Sequence, residues 1–308
     1  MRILKPLALA VIAALSVQAF AAQYSADIDQ SGVSLKATVT QTDGIDNASS
    51  ITQGGSFNEA VSVQTGGSGD SINQYQQLNS NYSEARQLDN IVAGLPSGNL
   101  IMQHQATGSE NVANARQASS TESVISQGQP GSSDSAVSTQ SDSIGAELHQ
   151  LQVGNRNAVT TTQSFAESTA RSNQYGRDNI SVAYQDNVLG GTAYVWQEGT
   201  ANHASVKQDY GSVSDVSALS FGVGNTVTVS QYNAIASNAE LESTGDYNSA
   251  TISQSGILIH LSGEQTGNRN QLIAKQGGRQ NTLVSSQIGD DNVIRLAQIG
   301  SDNGVAIE

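Results

Sequence analysis

Cysteine is absent, proline occurs three times and aromatic residues make up 5% of the 308 residues. Without a thiol no disulfide can hold the fold, and thiol catalysis and cysteine-ligated metal sites are excluded. So few aromatics leave only small side chains to fill a core. Basic residues are scarce as well: 13 Lys and Arg stand against 27 Asp and Glu, a formal net charge of −14. That balance argues against nucleic acid or an anionic membrane surface as a partner. Beyond the start of the chain no apolar run is long enough to cross a membrane as a helix.

At that start Arg2 and Lys5 precede an apolar run from Leu7 to Val17, followed by Ala19-Phe20-Ala21. The arrangement predicts a signal peptide over residues 1–21, with an A-x-A cleavage site and an apolar run too short to be a membrane anchor. The protein is therefore expected to be exported. Two of the basic residues leave with the leader, which moves the balance from −14 to −16.

What is present is glutamine on a fixed beat. It stands at Gln152, Gln163, Gln174, Gln185, Gln197, Gln208, Gln231, Gln254, Gln265, Gln276, Gln287 and Gln298, with gaps of 11 or 12 residues, or twice that where Ser220 and Ser243 fill the slot. The beat runs back, less evenly, through Gln140, Gln127, Gln117, Gln105, Gln87, Gln76, Gln64, Gln53, Gln41 and Gln30. A constant period of this length marks one supersecondary unit copied and stacked. The polar, low-aromatic composition alone would suggest a disordered, aggregation-prone tract. A disordered tract has no reason to keep its apolar residues in phase with its Gln, as this chain does.

Each copy also has an internal order. Counting from the slot, Gly stands at +2, Asn at +5 and small or aliphatic residues at +7 and +9, as in Gln174-Tyr-Gly176-Arg-Asp-Asn179-Ile-Ser181-Val-Ala183-Tyr-Gln185. The glycines are Gly154, Gly176, Gly199, Gly222, Gly245, Gly267, Gly278, Gly289 and Gly300. The asparagines are Asn157, Asn179, Asn202, Asn225, Asn248, Asn270, Asn281, Asn292 and Asn303. Positions +5, +7, +9 and +11 are two apart, so on a strand they share one face. Gly at +2 suits a turn closed to other residues, and Asn at +5 suits its exit.

The predicted fold is therefore all-β: a parallel solenoid of about twelve coils of 22–23 residues, with two facing sheets and a thin core. A lone buried amide costs about 1 to 3 kcal/mol. Stacked once per coil, each Gln or Asn amide can donate to the one above and accept from the one below, as in cross-β assemblies. Such a ladder pins register, because a one-residue slip turns every amide outward.

The spacing S/N-x-[AVIL]-x-[AVIL]-x-Q-x-G-x-x-N-x-[AVIL]-x-[AVIL]-x-Q, carried by residues 157–174, 179–208 and 248–298, resembles the curlin repeat of bacterial curli fibres. The resemblance divides the mature chain into less regular repeats over residues 22–145 and regular curlin-like repeats over 146–308. It implies a secreted subunit of an extracellular functional amyloid fibre, serving adhesion and biofilm matrix. It implies passage through the periplasm and a curli-type outer-membrane channel, polymerisation with itself, and a companion curlin-like subunit. The chain departs from the family in having more than twice the usual number of repeats, and it has no Gly-rich leader before the first slot; the missing leader leans toward the minor, nucleating type of subunit, with the major type left open.

Other readings find less support. His104, His149, His203 and His260 alternate with the inward residues and share no metal-ligand spacing. No G-x-S-x-G elbow stands with a His and an acid in order, so neither an enzyme nor a cofactor is expected. Calcium-binding coils need G-G-x-G-x-D at a nine-residue period, which is missing. Asp178, Asp246, Asp290, Asp291 and Asp302 are expected to be surface acids that keep chains apart. A membrane barrel needs longer strands with a lipid-facing row. Pro96 and Pro130, unable to donate to a ladder, predict loops or bulges in the uneven stretch. Trp196, Tyr184 and Tyr194 are expected to point outward, either as lone surface aromatics or as a lateral contact stripe. Val305 and Ile307 continue the inward row, and uncapped coil edges would template another chain. The alternative is a solitary surface-binding solenoid of adhesin or ice-binding type, which would need a regular outward row that the Thr160 to Thr162 cluster does not repeat.

Overall fold

Alternation of small apolar and polar residues along short segments makes strands with one dry face. The computed structural model describes residues 13–17, 24–89 and 98–308. Strand makes up 76% of it, and no helix occurs among the described residues. Lys36–Thr42, Glu59–Thr65 and Ala158–Ser164 each alternate buried and outward residues. Every strand pairs in parallel with those one coil before and after. Gln152 thus lies opposite Gln174 and Gly154 opposite Gly176, and on the other side of the coil Gln163 lies opposite Gln185.

Two columns result. One runs from Tyr24–Val33 to Gly304–Ile307 and the other from Lys36–Thr42 to Val293–Ser301. Together they form a parallel β-solenoid of about 12 turns that is not a barrel. Most of the predicted leader lies outside the described residues. Ala13–Val17, within it, is a strand parallel to Ala37–Gln41.

The core between the columns is thin, as the composition requires. Ala204, Val206, Val227 and Val229 are fully buried in a single cluster with Leu241, Ile252, Leu261 and Leu272. No aromatic residue is buried among the described residues. The four-residue inward sets Asn202, Ala204, Val206, Gln208 and Asn225, Val227, Val229, Gln231 are at most 1% exposed.

Glycine closes the turns for a reason that involves two coils. Gly176 has φ 117°, and a Cβ on it would lie 2.0 Å from the carbonyl oxygen of Gly199 in the next coil. Glycine is therefore required by the stacking as well as by the backbone. Each turn also holds a left-handed residue two positions further on: Asp178 (φ 58°), Ala201 (56°), Tyr247 (56°) and Arg269 (55°).

The uneven stretch is absorbed at the corners. Paired glutamines are 22 or 23 residues apart in regular coils but 29 or 30 across the corner that follows Leu88, after which pairing resumes in register. Pro96 lies outside the described residues. Pro130 stands in the break between Val124–Gly128 and Gly131–Ser132, where no ladder N–H is demanded of it.

Candidate functional site

Each column carries a run of stacked side-chain amides, unbroken in the second and interrupted at Ser220 and Ser243 in the first. In the second column Nε2 of one Gln donates to Oε1 of the Gln one coil on, from Gln41 through Gln64, Gln87, Gln117, Gln140, Gln163, Gln185, Gln208, Gln231, Gln254 and Gln276 to Gln298, at 2.7 to 3.0 Å. The first column does the same from Gln30 through Gln53, Gln76, Gln105, Gln129, Gln152 and Gln174 to Gln197, at 2.6 to 3.2 Å. After Ser220 and Ser243 it resumes with Gln265 to Gln287 at 2.8 Å. Every bond points the same way along the stack. In most rungs the second Nε2 hydrogen crosses the core to a backbone carbonyl of the facing strand, as from Gln174 to Ala158 (3.2 Å) and from Gln53 to Lys36 (3.1 Å).

The slot expected at Gln127 is held by Gln129, whose distances of 12 residues from Gln117 and 11 from Gln140 keep the beat, whereas those of Gln127 are 10 and 13. Gln127 belongs to a second, shorter row of amides on the strands of the first column, which the beat did not reveal. There Gln74, Gln103, Gln127 and Gln150 bond in series at 2.8, 2.8 and 3.0 Å, and Gln150 donates on to Thr161 Oγ1 at 2.9 Å. Its signature was present in the sequence as Q-x-Q, four times: 74/76, 103/105, 127/129 and 150/152.

The asparagines also stack, by a different bond from the one expected. Asn157, Asn179, Asn202, Asn225, Asn248, Asn270 and Asn292 line the corner of the first column. There Oδ1 of each accepts from the backbone N–H of the next at 2.8 to 3.1 Å. Nδ2 reaches back four residues within its own turn and up to the glycine of the next coil, as from Asn202 to the Glu198 carbonyl (3.2 Å) and the Gly222 carbonyl (2.9 Å). Asn281 and Asn303 hold the opposite corner, where Asn303 N–H donates to Asn281 Oδ1 at 3.1 Å. Gly154, Gly199, Gly222, Gly245, Gly267 and Gly289 stack with Gly176 in the first corner, and Gly278 with Gly300 in the other.

One rung of the first corner carries an acid. Asp134 takes the Asn place, 1% exposed, with its N–H on Asn111 Oδ1 and its Oδ1 accepting from Asn157 N–H. Its Oδ2 has no partner among the described residues. Burial pushes this carboxyl up to about 6 from its ordinary 3.8, against the opposing effect of the bonds from Asn157.

On the outside, the turn acids engage neighbouring coils. Arg156 grips Asp178 at 2.7 and 2.8 Å, and Arg269 grips Asp291 at 2.7 Å through both nitrogens. The guanidinium bonds hold Asp178 and Asp291 below the usual carboxylate range. Asp246 accepts from Val223 N–H, and Asp290 from Asn268 N–H. Trp196 lies 5.0 Å from Tyr175 and 6.4 Å from Tyr194. Tyr184 belongs to the opposite column, under Lys207 Nζ at 5.5 Å, so the three aromatics do not form one stripe. The four His are spread along the outer faces, with His104 stacked on Tyr75 at 4.9 Å and His149 3.5 Å from Glu147. No group of three metal-binding side chains occurs among the described residues.

No curated protein matches the chain. The family model for the curlin associated repeat matches residues 25–55. Those residues take in the strands that carry Gln30, Gln41 and Gln53, within the part that the spacing had set down as less regular. Residues 25–55 are thus similar to the curlin associated repeat, and the later strands of both columns pair in parallel with this segment's register.

Proposed function

We propose that the chain is a secreted structural subunit of an extracellular, curli-like amyloid fibre. The observation that carries this reading is the single direction of the amide ladders. Along each ladder a Gln accepts from the coil before it through Oε1 and donates to the coil after it through Nε2, so one coil face complements another of its own kind. A coil edge of this build accepts a further copy as readily as the chain accepts its own next turn. The curlin associated repeat at residues 25–55 supports the same reading. On it, residues 1–21 are a signal peptide, and the subunit crosses the periplasm and leaves by a curli-type outer-membrane channel. It then polymerises with itself and a companion curlin-like subunit at the cell surface, for adhesion and biofilm matrix. The Gln, Asn and Gly columns act as the structural ladder of the fibre.

The test is to incubate the purified mature protein and follow amyloid-dye binding and sedimentation over days. Conversion after a lag, with the lag removed by preformed seeds, is expected. A soluble monomer that persists with native β signal would instead indicate a solitary surface-binding coil.

A further inference from the structure

The first amide column is interrupted once, and the four residues at the interruption are buried. Gln197 and Gln265, which flank the interruption, and Ser220 and Ser243, which occupy it, are each 0% exposed. Gln197 Nε2, Ser220 Oγ, Ser243 Oγ and Gln265 Oε1 have no hydrogen-bond partner among the described residues. In register these residues stand directly over one another, Gln197 on Ser220, Ser220 on Ser243 and Ser243 on Gln265. Serine has three heavy atoms fewer than glutamine, so neither hydroxyl reaches the position that a slot amide takes in the neighbouring coils, and neither bonds the flanking glutamines.

The facing strands supply further polar atoms. In regular rungs the slot Gln donates across the core to a backbone carbonyl, Ala158 from Gln174 and Ser249 from Gln265. The register places Ile180, His203 and Thr226 between those two carbonyls. The carbonyls of His203 and Thr226 are therefore the ones that face the levels of Ser220 and Ser243.

We propose that this interruption is a built site for two water molecules, one at the level of each serine, which complete the ladder from Gln197 to Gln265. The first water accepts from Gln197 Nε2 and donates to the His203 carbonyl, with the Ser220 hydroxyl as its third partner. The second donates to Gln265 Oε1 and to the Thr226 carbonyl, with the Ser243 hydroxyl as its third. Two to four polar partners and room for one probe sphere are what a buried water needs, and such waters are retained because the groups they serve are costly to leave bare. An apolar filling would satisfy none of the four atoms. A cation is disfavoured because the site's first ligand is an N–H donor.

The inference concerns the interior of one chain and does not depend on fibre formation, so it can be tested on soluble or assembled protein. The probe is water itself, followed by NMR magnetisation transfer to assigned side-chain amides. Transfer to the Gln197 amide is expected, with none to Gln174 one coil earlier. The variant Ser220→Gln/Ser243→Gln should abolish that transfer, move the Gln197 resonance toward those of the other ladder glutamines and keep or raise the denaturation midpoint. Absence of transfer to Gln197 in the unmodified protein would overturn the proposal whether or not the variant folds. So would a lowered midpoint in a folded variant, which would mean that neighbouring side chains already fill the space. A shift of the Gln197 and Gln265 signals on exchanging sodium for potassium at constant ionic strength would replace water by a cation and overturn it as well.

Discussion

Asp134→Asn should stabilise the coil at neutral pH, and the size of the effect follows from one missing donor. In the rungs on either side Nδ2 donates to the glycine carbonyl of the next coil, at 2.7 Å from Asn111 to Gly131 and 3.1 Å from Asn157 to Gly176. At Asp134 an oxygen stands there instead. A Cβ on Gly131 would lie 2.1 Å from Asp134 Oδ2 and 2.3 Å from the Gly154 carbonyl oxygen, so two acceptors crowd one spot. Protonation makes Oδ2 a donor and relieves the conflict. Around it, Glu110 in the coil before is exposed and hydrogen-bonded by Ser133, while Arg156 in the coil after is engaged by Asp178, so no opposite charge holds the carboxylate ionised.

The folded chain therefore binds this proton more tightly than the unfolded chain. Between pH 4 and pH 6 or so the native state holds more protons, so stability falls as pH rises through that window. The cost is absent below it and fully present above it. A rise from 3.8 to about 6, at about 1.4 kcal/mol per unit, sets a ceiling of roughly 3 kcal/mol. Asp134 lies at a corner near solvent and keeps its bond from Asn157, so about 1 to 2 kcal/mol is expected. Denaturant midpoints of the two proteins, measured from pH 3.5 to 7.5, should coincide at the acid end and diverge by that amount at the neutral end. A variant no more stable than the parent at pH 7.5, or a difference independent of pH, would refute the reasoning.

Two further pairs of substitutions probe the stack. Gln174→Leu removes the donor to Gln197 Oε1 and the acceptor of Gln152 Nε2. It should cost about 1 to 3 kcal/mol and lengthen the lag of assembly, whereas Gln271→Leu, off the ladder, should do neither; equal effects in a seeded dye-binding assay would count against the ladder. Gly199→Ala places a methyl 2.0 Å from the Gly222 carbonyl oxygen at φ 121° and should cost at least about 2 kcal/mol. Gly54→Ala, whose nearest contacts are 3.7 and 3.9 Å, should be close to neutral in the same thermal melts.

The parts of this architecture legible in the sequence are those that repeat with a period and a parity. A slip of one residue would turn Ala204, Val206 and Gln208 to solvent, so the phase of the inward row is strongly constrained and shows through a single chain. Parity cannot distinguish Gln127 from Gln129, because both point inward. Only the register against Gln105 and Gln152 decides between them, and that is a property of neighbouring coils. The left-handed turn residue was illegible for another reason. Asp178, Ala201, Tyr247 and Arg269 share a backbone conformation and no side-chain chemistry, so the turn is imposed by the glycine and asparagine on either side of it.

The different bonds made by Asn and Gln explain why the repeat needs both. Gln stands on a flat strand, where its extra methylene carries the amide into the core and stacks it on the amide above. That arrangement senses whether successive coils are in register and is indifferent to where the chain turns. Asn stands at the corner, where the shorter arm keeps Oδ1 and Nδ2 beside the backbone. Asn202 thereby closes its own turn on Glu198 and bonds the adjoining coil through Gly222 and Asn225 in one side chain. Length per turn and register between turns are thus set by separate residues. This separation lets the corner after Leu88 take in an insertion while Gln87 still finds Gln117 at 2.9 Å. It also makes the acid at Asp134 a fault of the turn rather than of the ladder, since Gln129 beside it still donates to Gln152 at 3.0 Å.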